Sequence, residues 1–226
     1  MEPLNIFRQV HRIERVMLYE TAIGLQLGHF ASRTELENIA GKVNAIILLS
    51  TDYIAKQEEF VLPAVAEYEP SIGDVFRQEH KATAEQIQAL SIAVEEALCA
   101  ITEAQREEAG RFLEHLFTQF LRAQLRLMGR KEKVLNPILS RYYNTEVLHS
   151  IQQELIQHDD CQKSLIQVAW IIKTLEEEEL VDWLKTVEKK ASTHCMQSLL
   201  TAAEEQLEAH RFDKLSGALT EGALVA

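Results

Sequence analysis

Glu58-Glu59-Phe60-Val61-Leu62-Pro63-Ala64-Val65 returns later in the chain, in altered form, as Glu132-Lys133-Val134-Leu135-Asn136-Pro137-Ile138-Leu139. Each copy lies late in a long stretch of helical periodicity. A proline inside a helix removes a backbone hydrogen bond and bends the helix, at a cost of about 3 kcal/mol. Two prolines in matching contexts predict a shared bend. Each segment also follows a helix carrying a single inward histidine, His11 and then His80. The plan is a two-fold helical bundle with something polar at its centre.

The surrounding sequence supports helices throughout. Glycine (8) and proline (4) are scarce among 226 residues, while Leu, Ala, Glu and Gln are plentiful. No segment alternates as a strand would. Helices are predicted over 4–27, 34–68, 70–100 and 102–143. Thr34-Glu-Leu-Glu37 and Thr102-Glu-Ala-Gln105 read as capping boxes opening the second and fourth, and Pro70 opens the third. Four long helices with short connections imply an all-α, up-down four-helix bundle over 1–143. A helical extension packed on it is expected over 144–226, with helices at about 145–157, 161–173, 176–190 and 193–209 and a frayed last dozen residues. His158-Asp159-Asp160 reads as a break, and Glu176 to Glu179 as a first turn suited to the helix dipole.

Composition narrows the function. A net charge of −12 argues against nucleic acid, which wants a basic face. No apolar run spans a bilayer and the start lacks a signal peptide's regions, so no membrane partner and a cytoplasmic location are expected. Cys99, Cys161 and Cys195 are too widely spaced for a zinc knuckle or disulfide framework and read as buried or idle thiols. No nucleotide loop or hydrolytic triad is visible. His115 and His149 read as surface residues, and Gly24, Gly28 and Gly41 as helix ends. Arg122, Arg126, Arg130 and Lys133 form a basic stripe, fit to pair with the acidic extension or with a partner.

At about 100° per residue, the apolar stripes of the four helices enclose six polar residues: His11, Glu14, Tyr53, Gln57, His80 and Lys131. Buried polar groups need partners, so these six define a candidate site. Glu58 and Glu132 are expected to turn about 100° away from it.

These residues resemble the hemerythrin-like, or HHE cation-binding, family over about 4–140. The parallels are His11 in the first helix, Gln78-Glu79-His80 opening the third, and the proline-bearing helix ends, Lys133-Val-Leu-Asn-Pro137-Ile-Leu above all. The resemblance implies a bundle holding two irons. Its ligands would be histidines on the first and third helices and His-x-x-x-Glu pairs on the second and fourth. At those pairs this chain has Tyr53 and Gln57, then Leu127 and Lys131. Glu85 matches the family's acid five residues after the third-helix histidine.

A di-iron centre needs bridging carboxylates, and Glu14 is the one clear acid at the centre. The expectation is a metal-free polar core in which Lys131 pairs with Glu14 while His11, His80, Tyr53 and Gln57 complete a hydrogen-bond network. The chain then serves as a non-enzymatic binding or regulatory module for a protein partner or small ligand. The alternative is a single iron or other cation on His11, His80, Glu14, Tyr53 and Glu85, used in oxygen, nitric oxide or redox sensing.

Overall fold

A computed structural model describes residues 4–156, 165–189 and 191–223. Among them every regular element is helical. The chain divides into two compact units, Met1–Ile156 and Gln157–Ala226.

In the first unit, α1 spans Arg8–Leu27, α2 Arg33–Lys56, α3 Leu62–Ala66, α4 Pro70–Cys99, α5 Glu103–Arg130, α6 Asn136–Tyr142 and α7 Thr145–Ile156. The long helices α1, α2, α4 and α5 pack in a closed circuit, α1 on α2 and α5, α4 on α2 and α5. Their ends follow local chemistry. Thr102 caps α5 in a complete capping box with Gln105, and Pro70 occupies the first turn of α4, where its missing N–H costs nothing. The cap of α2 is Ser32, whose Oγ accepts from the Glu35 amide. Thr34 already lies inside the helix, so the box expected there is not formed. Gly24 and Gly41 are likewise helix-interior, and only Gly28 ends a helix.

The two proline bends take a specific form. Between α2 and α3, and again between α5 and α6, the helix widens into one π turn, Gln57–Val61 and Lys131–Leu135. The amide of Leu62 bonds the Gln57 carbonyl and that of Asn136 bonds the Lys131 carbonyl, five residues back in both cases. Pro63 and Pro137 follow immediately. In a regular helix each ring would press on the carbonyl four residues earlier. The wider turn moves that carbonyl aside.

Around these turns lies a core of Phe7, Val10, Val61, Leu62, Phe76, Leu135 and Leu139, joined by Leu148 and Leu155 of α7. The short helix α7 packs on the first π turn, α2 and α6. It therefore falls within the first unit, although the sequence places a boundary at 143/144. Asn136, buried beside Pro137, accepts from the Ile6 amide and donates to the Leu4 carbonyl, both at 3.1 Å. That staple fixes the entry to α1.

The second unit contains α8 (Leu165–Thr174), α9 (Glu177–Glu188), α10 (Thr193–Gln206) and α11 (Ala209–Ala223). There α10 packs on α8 and α11, and α11 packs on α9. Glu176 caps α9 with Glu179 in a capping box. Trp170, Trp183, Leu180 and Leu184 are buried. The expected frayed end is instead helix to Ala223, with Leu215 buried. Cys195 is disulfide-bonded rather than a buried or idle thiol, and Cys99 is a free, exposed thiol. The expected break at His158-Asp159-Asp160 and Cys161 lie outside the described residues. No described helix is long and apolar enough to cross a membrane.

Candidate functional site

All six polar residues read from the stripes are buried, His11 and Gln57 completely. Their immediate partners are two outer carboxylates. His11 Nδ1 lies 2.7 Å from Glu132 Oε1, and Arg15 donates to the same oxygen at 2.6 Å. His80 Nδ1 lies 2.6 Å from Glu58 Oε1, with Arg77 Nε 3.7 Å from the other oxygen. The same triad of histidine, glutamate and arginine is thus built twice, one glutamate from each copy of the repeated segment.

The expectation that Glu58 and Glu132 turn away is overturned. It assumed a regular helix across both prolines. A π turn rotates successive residues by less than the ~100° of an α-helix. Gln57 and Lys131 therefore stay inside while the next residue, Glu58 or Glu132, still reaches a histidine from the rim. The signal in the sequence is the proline, which marks a disturbance of the helix without giving the register that follows.

The carboxylates fix the tautomers. A carboxylate only accepts, so each Nδ1 carries the proton and each Nε2 presents a lone pair. Both Nε2 atoms are buried without a hydrogen-bond partner, as are the Tyr53 hydroxyl and Gln57 Oε1. The Gln57 amide group donates instead to the Tyr53 carbonyl at 3.2 Å. The expected network among His11, His80, Tyr53 and Gln57 is therefore not made. Such orphans cost about 1–3 kcal/mol each.

Lys131 lies among these groups, its Nζ 5.3 Å from the centre of the Tyr53 ring, while the His11 ring meets Tyr53 edge-on at 6.0 Å. No direct ion pair joins Lys131 to Glu14; they act on one another through the field. Burial raises the Glu14 carboxyl to about 7, with Lys131 and Arg15 opposing. Burial lowers the Lys131 ammonium to about 8, with Glu14 and Glu58 opposing. Burial lowers both histidines to about 4, and the Lys131 charge depresses them further against the pull of their glutamates. Both rings are neutral at pH 7. The hydrogen bond from His11 holds Glu132 at about 2, and burial pushes the Tyr53 phenol well above its ordinary range.

Glu85 is exposed and takes no part in this interior. Thr83 holds the inward position on that turn of α4, donating to the Glu79 carbonyl at 3.0 Å and facing the buried Gln124 amide at 3.4 Å. That Thr83–Gln124 layer went unread because neither residue breaks its apolar stripe by charge. His115 and His149 are exposed. Among the described residues, no group of three or more His, Cys, Asp or Glu side chains is set to hold a metal ion.

The interior is thus rich in acceptors (two imidazole lone pairs, an amide oxygen, a carboxylate) gathered around one buried ammonium. By the resemblance, two irons would require carboxylates where Gln57 and Lys131 stand and a histidine where Leu127 stands, and these residues do not fit them. No family model, curated protein or solved structure matches this chain.

Proposed function

We propose that this chain is a hemerythrin-like four-helix bundle that has exchanged metal for lysine and acts as a non-enzymatic binding or regulatory module. The observation that carries this reading is the burial of Lys131 beside Glu14 and two neutral imidazoles, at the position where the resembling family places a carboxylate ligand. An ammonium there supplies the positive charge that the lone pairs and Glu14 would otherwise seek from a cation. The site then offers no redox centre, and the scaffold is left to serve by its surfaces.

A second reading has its own support. The Nδ1–carboxylate bonds of His11 and His80 are the kind that orient metal-ligating imidazoles. With Glu14 and Tyr53 they would form a four-ligand set for a single cation. Metal analysis of the full chain, purified from iron-supplemented cells, separates the two. Iron far below one equivalent per chain, with no visible iron–tyrosinate absorption, is the expected result. One or more tightly held equivalents, lost in His11→Ala or His80→Ala, would overturn the metal-free reading in favour of the second.

A further inference from the structure

A groove of about 420 Å³ lies between α4 and α5, and none of the six interior polar residues lines it. Arg122, Arg126 and Arg130 line one wall at four-residue intervals, and Glu79, Thr83 and Gln86 line the other. Ala82 and Ala123 leave the space between them open. Arg130 is engaged by Glu79 and stands over the Phe76 ring. Arg122 and Arg126 make no ion pair or hydrogen bond among the described residues, although the chain carries a net charge of −12. Arg15, Arg33, Arg77 and Arg111 all find an acid. The one acid in this groove is already held by Arg130.

We propose that this groove binds a phosphate monoester through Arg122 and Arg126. Four residues along an α-helix advance about 6 Å, so two guanidinium forks can converge on one head group. A carboxylate's two oxygens are satisfied by a single fork, whereas a phosphate offers three terminal oxygens and can engage both. The space exceeds that of a bare phosphate and lies in the range of small-molecule sites, roughly 300–1,000 Å³. The Gln86 amide, which makes no hydrogen bond among the described residues, faces the organic part of such a ligand. Thr83 is held by its own bonds to Glu79 and Gln124 and forms a fixed floor.

The test is calorimetric titration of the full chain at low ionic strength with glycerol 3-phosphate, inorganic phosphate and succinate. Glycerol 3-phosphate is expected to saturate the chain at least as tightly as inorganic phosphate, and succinate to bind more weakly. R122Q/R126Q should weaken glycerol 3-phosphate binding about tenfold or more, as expected on losing two charge-assisted forks. Its thermal midpoint should be unchanged, because both side chains are exposed. Four results would overturn the assignment: no saturation at millimolar ligand, equal binding of succinate, binding of inorganic phosphate alone, or unchanged affinity in the variant. Preferential binding of a hexaglutamate peptide would replace it with an acidic protein partner.

Discussion

The contribution of Glu14 and Lys131 to stability is expected to be valley-shaped against pH, and replacing Lys131 by methionine to turn it into one that only falls. In the folded chain Glu14 keeps its proton to about pH 7, against 4.5 for the free side chain. Between those values the folded state holds more protons than the unfolded state, so stability falls as pH rises. Lys131 behaves oppositely. Its folded value is about 8, against 10.5. Between those values the unfolded state holds more protons, and stability rises with pH. Each unit of mismatch is worth about 1.4 kcal/mol, so the floor of this pair's contribution, between about pH 7 and 8, lies a few kcal/mol below its shoulders; His11 and His80, lowered to about 4, add a separate rise of stability with pH up to their ordinary value.

Lys131→Met removes the charge that lowers Glu14, so the descent extends beyond pH 7 and has no recovering limb. Glu14→Gln removes the carboxylate that supports Lys131, leaving only a rise that begins below pH 8. At its least favourable pH each single variant loses up to about 3–5 kcal/mol, the usual cost of leaving one buried charge alone. The double variant is expected to lose both limbs, keeping only the titration of other groups such as His11 and His80, and to gain roughly 1–4 kcal/mol over wild type near pH 7.5. Urea unfolding at about pH 5, 7.5 and 9.5 measures this, each profile being read as its difference from the double variant to cancel other titrating groups. Strict additivity of the two substitutions at every pH would sink the coupling between Glu14 and Lys131.

The same two residues show what the sequence disclosed. Their burial followed from helical periodicity alone, because α1 and α5 are regular up to Glu14 and almost up to Lys131. The partners of His11 and His80 did not follow, because Glu58 and Glu132 lie just inside the π turns, where a constant rotation per residue fails. Pro63 and Pro137 announced a disturbance without stating its pitch. Glu85 is a different case: the resembling family's spacing suggested it, and its angle on α4 leaves it exposed. Capping chemistry fixed Thr102 correctly and misplaced the start of α2, since Ser32 and Thr34 are both competent caps and only the loop geometry chooses between them. The orphaned Nε2 atoms are a tertiary fact, invisible until the glutamates are seen to occupy each Nδ1.

Gly110 is a second tertiary fact, and its substitution has a sign that depends on one neighbour. It lies buried within α5, where alanine would ordinarily gain about 1 kcal/mol through helix propensity. A Cβ at this position would meet the Phe30 ring at 2.2 and 2.6 Å and the Phe30 Cβ at 2.7 Å. Phe30, in the connection between α1 and α2, is itself buried and packs against α5 at Gly110. Gly110→Ala must therefore push the connection outward or expose the ring. Overpacking costs about 1–3 kcal/mol, and exposing an aromatic side chain costs about 1.5–3 kcal/mol. Set against the gain of about 1 kcal/mol in helix propensity, the expected net loss is up to about 2 kcal/mol. Phe30→Ala alone should lose about 3–5 kcal/mol through the cavity it leaves. In that background the clash is gone, so adding Gly110→Ala should restore up to about 1 kcal/mol. Chemical denaturation of the four proteins gives the cycle. A loss of the same size in both backgrounds would show that the ring does not set the requirement for glycine, and that the connection meets α5 in some other way.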